Sequence, residues 1–335
     1  MHWRGSSIPE SCCMSDISMI DAAAKRLAGH ARLTPLLRAP LLDRIAGRQV
    51  FVKAECLQWT GSFKYRGGWA AVSALSADLR ARGVIAFSSG NHAQGVALAA
   101  AQHGAPAVII MPSDAPAVKI ANTRAYGAEV VLYDRAGTDR DAIGTEIAAT
   151  RGLTLIKPFD NAQVIAGQGT IGLEIATQAA AAGITQATVI TCCGGGGMTA
   201  GIALALAARA PAFRIQTAEP AGFDDVARSL AAGKIQRNAH MTGSICDAII
   251  TPQPGDITFP ILMRHCGPGL VVTDDQAMQA MALAFTHLRI VLEPGGAVAL
   301  AAALFCADLP ETVICTASGG NVDPAIFADV LARYS

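Results

Sequence analysis

The chain has 335 residues, of which 52% are hydrophobic and 16% charged, enough apolar material for one large core or two ordinary ones. Lysine and arginine together number 26, as do aspartate and glutamate, so the formal net charge is zero. Because no basic run stands out and no apolar stretch approaches the length of a membrane span, neither nucleic acid nor a membrane is expected as a partner.

The first fourteen residues lack any periodicity, which predicts a disordered and dispensable extension before a helix at 19–28. They also lack the apolar core of a signal peptide. Nine cysteines include two adjacent pairs and no CxxC, a pattern that indicates reduced thiols. We therefore expect a cytoplasmic protein.

Segments typical of strands and helices alternate along the rest of the chain. Strands are predicted at 49–55, 83–88, 106–111, 128–133, 154–156, 187–191, 213–219 and 312–316. Helices are predicted at 65–75, 93–102 and 119–126, and another begins near Met198. This alternation is typical of an α/β fold with parallel sheets and right-handed crossovers.

A single lysine stands out in the segment Ser62-Phe63-Lys64-Tyr65-Arg66-Gly67, between a predicted strand and a predicted helix. Partial desolvation at such a turn lowers the pKa of an amine and suits Schiff-base and proton-transfer chemistry. The alternative is an ordinary solvated lysine. Three glycine-rich turns downstream, at 88–92, 194–197 and 318–321, favour the first interpretation, because together they suit a phosphorylated aldehyde held by the lysine.

Four consecutive glycines precede the helix that begins near Met198, namely Gly194, Gly195, Gly196 and Gly197. Backbone N–H groups without side chains at a helix N-terminus form a phosphate site. A dinucleotide fingerprint is the rival, since Gly195-x-Gly197-x-x-Ala200 fits it and Glu219 ends the next predicted strand. That interpretation predicts a nicotinamide oxidoreductase, but it leaves Lys64 and the other two turns unexplained and ranks lower.

Taken in order, the four segments resemble the fold type II pyridoxal-phosphate enzymes, specifically the serine/threonine dehydratase and serine racemase group. The resemblance covers about Thr34 to Asp323. It implies two open-sheet domains with helices on both faces, like the tryptophan synthase β chain: a large one at 15–82 plus 158–335, and a small inserted one at 83–157. It also implies pyridoxal 5′-phosphate, a small β-hydroxy amino acid as substrate, and a homodimer or homotetramer.

The resemblance also implies a set of cofactor-binding residues: Phe63, Lys64, Asn91, Gly194, Gly195, Gly196, Gly197, Met198 and Ser318. Lys64 matches the Schiff-base lysine, Asn91 the residue that binds the phenolic oxygen, and Ser318 the contact of the pyridine nitrogen. A hydroxyl stabilises a protonated pyridinium less than a carboxylate does. The cofactor is then a moderate electron sink, which favours elimination at Cβ.

Substrate-binding residues follow from the same resemblance. Ser88, Gly90, Asn91 and His92 match the loop that holds the α-carboxylate by amides at a helix N-terminus, with His92 expected to pack or orient the loop. Ser89 matches the serine that, in racemases, faces Cα opposite the catalytic lysine, here Lys64. Since many dehydratases have alanine there, Ser89 keeps racemisation open. Arg140 would bind the second carboxylate of a hydroxyaspartate, or is a surface residue.

An acidic loop resembles the divalent cation site of the group. Glu219 and Asp225 would supply carboxylates and Phe223 a backbone carbonyl, a set of oxygen ligands that suits Mg²⁺ or Ca²⁺. The alternative is an acidic loop with solvated side chains.

Some positions distinguish members of the group. Phe159 stands where racemases tend to have asparagine, and 293–297, with the sequence Glu-Pro-Gly-Gly-Ala, is dehydratase-like. Cys246-Asp247-Ala248 replaces the usual Ala-Asp-Gly, which predicts different packing around the cofactor ring. With no regulatory domain after Ser335, feedback inhibition by isoleucine is not expected.

The combined prediction is a threonine/serine ammonia-lyase that forms a 2-oxo acid and ammonia. The alternatives are a hydroxyaspartate dehydratase, a serine or aspartate racemase, and a non-catalytic cofactor carrier.

Overall fold

The computed structural model describes residues 15–88, 90–115, 117–134 and 140–334. The predicted extension at 1–14 and Ser89 lie outside the described residues, as does the side chain of Arg140. Two sheets with helices packed against them confirm the predicted α/β fold class.

The helices and strands follow one another closely. The helices are α1 (Ile17–Leu27), α2 (Pro40–Ala46), α3 (Lys64–Ser73), α4 (Ala77–Arg82), α5 (Asn91–Gln102), α6 (Ala117–Ala125), α7 (Arg140–Arg151), α8 (Ala162–Ala181), α9 (Gly197–Arg209), α10 (Asp225–Ala232), α11 (Thr258–His265), α12 (Asp274–Leu288), α13 (Pro294–Phe305) and α14 (Pro324–Tyr334). The strands are β1 (Leu36–Arg38), β2 (Gln49–Lys53), β3 (Val84–Phe87), β4 (Ala107–Pro112), β5 (Glu129–Tyr133), β6 (Thr154–Leu155), β7 (Thr188–Cys192), β8 (Arg214–Pro220), β9 (Leu270–Val272) and β10 (Thr312–Thr316).

The larger sheet has six strands in the order β1-β2-β10-β7-β8-β9. All of its pairings are parallel except that of β1 with β2. Parallel strands place their carboxyl ends at one edge, where ligands bind in open α/β sheets. The turns that contain Lys64, the four glycines and Ser318 follow β2, β7 and β10, which are neighbours in this sheet.

The smaller sheet has four parallel strands in the order β5-β4-β3-β6, all between residues 84 and 155. Its β3 ends at Phe87, and α5 begins at Asn91. This sheet lies within the segment predicted as the inserted domain. The division into two domains stays a prediction.

Helix α13 accounts for the most apolar segment of the sequence. Every residue from Pro294 to Leu304 is buried, because the helix packs against the larger sheet and against α12. A helix buried on all sides carries apolar residues all round. Within the described residues, no helix combines the length and apolarity that a membrane crossing requires.

A buried ionic cluster fixes the start of α3. Arg66 is 1% exposed, and its guanidinium donates to Glu55 over 2.8 and 2.9 Å and to Glu174 over 2.7 and 2.9 Å. The ammonium of Lys53 donates to Glu174 over 2.5 Å and to Gln178 over 2.9 Å. Burial raises the pKa of Glu55, but the Arg66 guanidinium outweighs it and holds that pKa below its ordinary value. The cluster ties α3 to β2, to the turn after β2 and to α8.

Replacing Arg66 by methionine should destabilise the protein by about 3–5 kcal/mol, because the fully buried Glu55 would lose its guanidinium partner and the partly buried Glu174 would keep only Lys53. Urea unfolding followed by circular dichroism measures this difference. Arg209→Met is the matched control, since Arg209 pairs with Asp21 at the surface over 2.7 Å, and an exposed pair is worth at most about 1 kcal/mol. An equal decrease in the free energy of unfolding of the two variants would show that the buried cluster does not anchor α3.

Candidate active site

Lys64 is the first residue of α3 and follows the extended Ser62 and the turn residue Phe63. Its Nζ donates a hydrogen bond to the carbonyl of Pro158 over 2.8 Å and lies 5.1 Å from the centroid of the Phe63 ring. Desolvation lowers the pKa of this amine to about 8. An appreciable fraction of Lys64 is therefore neutral near physiological pH, as a nucleophile or base requires.

The four-glycine turn closes tightly around its neighbours. Gly196 has a φ of 90°, in the left-handed region that favours glycine. A Cβ on Gly194 would lie 2.8 Å from the Ile249 carbonyl oxygen, and one on Gly195 would overlap the Phe159 ring. The amides of residues 194–196 donate no hydrogen bond to a described residue. Free amides at the start of α9, a helix of 13 residues, fit a phosphate group.

Asn91 connects the two sheets across the site. Its Nδ2 donates to Oε1 of Glu293, and its Oδ1 accepts from Nδ2 of Asn321 over 2.7 Å. Burial raises the pKa of the Glu293 carboxyl, which is 2% exposed. Sequence reasoning noted Glu293 and Asn321 without assigning them to the site. The available signals were a glutamate directly before the proline that starts α13 and an asparagine ending the last glycine turn.

The backbone at Ser62 and Phe63 lies against the backbone at Ser318 and Gly319. The Phe63 amide donates to the carbonyl of Ser318 over 3.1 Å, and Ser62 pairs with Gly319 in an isolated antiparallel bridge. Ser318 is 4% exposed. The hydroxyl of Ser62 is buried and has no hydrogen-bond partner among the described residues. An unpartnered buried hydroxyl beside Lys64 fits a polar ligand.

His92 packs rather than titrates. Its Nε2 lies 2.9 Å from the carbonyl oxygen of Ile156, and the residue is 2% exposed. Burial lowers the pKa of this imidazole to about 3, so it stays neutral at physiological pH. His92 thus holds the start of α5 against the end of β6.

The segment 158–160 contacts both Lys64 and the four-glycine turn. The Phe159 ring covers Gly195 and the Phe159 backbone lies against Gly197, while Pro158 accepts the hydrogen bond of Lys64. The carboxylate of Asp160 accepts from the amide of Ile257 over 2.7 Å. The segment 158–160 is therefore fixed at both ends and presents an apolar ring to the site.

The proposed metal ligands lie elsewhere, at the end of β8. Both oxygens of Glu219 accept from backbone amides, those of Val226 at 2.9 Å and Ala227 at 2.7 Å. Asp225 accepts from Asn238 over 2.6 Å, but its Oδ2 has no described partner. Burial raises the pKa of Asp225 to about 6, and burial with the charge of Asp225 raises that of Glu219. One free carboxylate oxygen fits a cation only in part, and the described residues contain no group of three His, Cys, Asp or Glu side chains placed for a metal.

The same geometry weighs against the dinucleotide alternative. A ribose-binding carboxylate needs free oxygens at the strand end. Those of Glu219 are occupied by the amides that begin α10, and the residue is fully buried. The nicotinamide interpretation is therefore not supported.

The structure thus brings several of the predicted site residues together. Phe63 contacts Ser318, Asn91 lies next to Gly319, and the segment 158–160 links Lys64 to the four-glycine turn. Ser88 follows the end of β3 and Gly90 precedes α5, and the Gly90 amide donates to the Ser88 hydroxyl over 3.1 Å. Met198 is buried in the first turn of α9. Arg140 begins α7, and its side chain lies outside the described residues, as does Ser89.

Comparison with known proteins gives a consistent result. The sequence profile described as "Pyridoxal-phosphate dependent enzyme" matches residues 27–319. An L-threo-3-hydroxyaspartate ammonia-lyase from Pseudomonas sp is 42% identical over 92% of this chain and 96% of its own length. A serine racemase from Oryza sativa subsp. indica is 37% identical, with 95% and 94% covered. The crystal structure of a T.th. threonine deaminase superposes with a TM-score of 0.87 at 43% identity, with 92% of this chain and 99% of that chain covered.

Borohydride reduction of the cofactor-loaded protein should place a pyridoxyl label on Lys64, because Lys64 combines a lowered pKa with a position between the free glycine amides and Ser318. Peptide mapping by mass spectrometry identifies the labelled residue. Lys64→Ala should keep its fold by circular dichroism and lose the label. Two other buried lysines serve as internal controls, Lys53, which is held in the ionic cluster, and Lys119. A label on either would refute the assignment.

Proposed function

We propose that the chain, which belongs to the family of pyridoxal-phosphate dependent enzymes, is an ammonia-lyase for L-threonine and L-serine. Elimination of water from the β-hydroxy amino acid would leave an enamine, which takes up one water and hydrolyses to 2-oxobutyrate or pyruvate and ammonia. The observation that carries the proposal is Lys64, an amine with a pKa near 8 at the carboxyl edge of the larger sheet. Elimination of this kind needs a base at that position, next to a bound aldehyde cofactor.

Residues of this chain would take different roles in the elimination. When bound, the cofactor supplies a sink for the electrons left on Cα after its proton is removed. Lys64 takes that proton, and the carbonyl of Pro158 directs its amine by accepting one N–H over 2.8 Å. The amides at the start of α5 hold the α-carboxylate. The protonated Lys64 then gives a proton to the β-hydroxyl as it leaves, so the oxygen departs as water and the amine is neutral again.

Phe159 supports elimination over racemisation. Its ring stands beside the glycine turn, where it excludes water and offers no group that exchanges a proton. Racemisation needs an acid or a base on each face of Cα, whereas elimination needs only the lysine face. The neutral, buried His92 supplies no second proton donor.

L-threo-3-hydroxyaspartate is a second candidate substrate. The 42% identical relative from Pseudomonas sp is named for that reaction. A buried lysine beside the substrate turn also gives the site a positive charge suited to carboxylates. The elimination is chemically the same, and the products would be oxaloacetate and ammonia.

We also propose that Asp225, through its free Oδ2, and the carbonyl of Phe223 hold Mg²⁺ or Ca²⁺ with water molecules, and that Glu219 contributes the second lone pair of an oxygen that already accepts a backbone amide. The support is the free Oδ2 of Asp225 beside a second buried carboxylate. Oxygen donors of this kind suit hard cations.

Purified, cofactor-loaded protein should release a 2-oxo acid from L-threonine and L-serine, with ammonia in equal amount, since both products come from one elimination. Derivatisation of the 2-oxo acid and an enzymatic ammonia assay measure the two, with L-threo-3-hydroxyaspartate included in the panel. Lys64→Ala is the control and should lose the elimination rate. If the protein releases no 2-oxo acid from any of the β-hydroxy substrates, the proposal is wrong.

Ser89→Ala distinguishes the lyase from the racemase. The substitution should suppress formation and turnover of D-serine while sparing much of the L-threonine activity, because Ser89 is proposed to act on the Cα face opposite Lys64. Chiral chromatography of the remaining substrate measures the formation and turnover of D-serine. Release of 2-oxo acid measures the activity on L-threonine. Should the wild-type protein make D-serine faster than pyruvate, the racemase assignment takes the place of the lyase.

A further inference from the structure

Lys119 is a buried cation next to the turn that is proposed to hold the substrate. It lies in the first turn of α6, is 8% exposed, and reaches over the start of α5. A Cβ on Gly90 would be 3.5 Å from the Lys119 Nζ, so the ammonium faces this turn directly. The first turn of a helix is the positive end of its dipole, where a lysine is unfavourable. Helix formation therefore does not account for a buried lysine at this position.

The ammonium of Lys119 has no hydrogen bond to any described residue. Its nearest carboxylates are those of Asp247 at 3.8 Å and Glu293 at 4.0 Å, beyond hydrogen-bonding distance. The side chain of Lys119 is only 10% exposed, and its ammonium keeps three donors that a ligand can use. The Glu293 Oε2 also has no hydrogen-bond partner among the described residues, so Lys119 and Glu293 do not form a hydrogen bond with each other.

We propose that Lys119, whose ammonium lies next to Gly90, binds a carboxylate of the substrate through a charge-assisted hydrogen bond. This inference rests on the proposed function in taking the ligand to be an amino acid held at the turn 88–92. The carboxylate is either the α-carboxylate common to all substrates or the second carboxylate of an acidic one. Either would occupy the donors that Asp247 and Glu293 leave free.

A purely structural role for Lys119 predicts different behaviour. In that case the ammonium only balances Asp247 and Glu293, and its loss changes stability without changing ligand affinity. The side chain of Asp247 is 62% exposed, so water solvates that carboxylate and it needs little compensation. The unused donors of Lys119 favour a ligand instead.

The test measures binding of two compounds without a Cα hydrogen, α-methyl-L-serine and α-methyl-L-aspartate, to the cofactor-loaded protein by isothermal titration calorimetry. Neither compound can lose a Cα proton, so affinity is measured whichever reaction the enzyme catalyses. Lys119→Met should weaken binding roughly 10- to 100-fold through loss of a buried charge-assisted hydrogen bond. Lys119→Arg should restore most of the affinity, and Lys157→Met, which removes an exposed lysine, should leave it unchanged.

The pattern of losses identifies the carboxylate. Equal weakening for both compounds assigns Lys119 to the α-carboxylate, whereas weakening for α-methyl-L-aspartate alone assigns it to the second one. Unchanged affinity of Lys119→Met for both compounds overturns the proposal, as does a wild-type protein that binds neither. The cofactor absorbance of each variant confirms that it is folded and loaded. If the affinity losses appear but no 2-oxo acid is ever released, the lyase assignment fails while the role of Lys119 stands.

Discussion

The pairing of the buried Arg66 with the carboxylates of Glu55 and Glu174 is the interaction on which the position of Lys64 depends. Both residues lie in the first turn of α3, two positions apart, so whatever fixes the guanidinium also fixes the amine. The guanidinium binds Glu55 and Glu174 through two hydrogen bonds each, a geometry that a single point charge could not impose. Lys53, from β2, contributes a second cation to Glu174. The start of α3 is thereby held to the sheet and to α8 at the same time.

Close backbone approach is the second constraint, and it explains the glycines. Gly68 and Gly95 let α3 and α5 approach until a Cβ on either would lie about 2.8–2.9 Å from the backbone of the other helix. That approach sets Asn91, at the start of α5, beside Glu293 and Asn321 from the larger sheet. The site is therefore assembled by two contacts of different kinds, one ionic and one between bare backbones.

The sequence was sufficient for most of the strands but not for the edge strands β1 and β9 or for the side chains that the fold brings together. The predicted strands at 187–191 and 312–316 lie within about a residue of β7 and β10, since their β-branched residues precede turns that only glycine fits. The edge strands β1 and β9 were missed because three residues give no readable period. Glu293 and Lys119 were not assigned to the site, because they lie more than 170 positions apart and only the fold brings them to 4.0 Å. The roles of Lys64, Asn91 and Ser318 came from motif resemblance, and the structure adds their partners.

Two sets of polar side chains near Lys64 differ in their hydrogen bonding. Those of the Arg66 cluster have hydrogen-bond partners and lie beneath the site, where they stabilise the fold. At the carboxyl edges of the sheets, the buried hydroxyl of Ser62 and one buried oxygen of Glu293 lack a partner among the described residues, and the nearby ammonium of Lys119 has no hydrogen bond to one. An unpartnered buried group lowers the free energy of unfolding, so these groups do not serve the stability of the fold. A ligand that supplies the missing partners accounts for the whole set, and an amino acid beside a phosphorylated cofactor has the donors and acceptors that these groups lack.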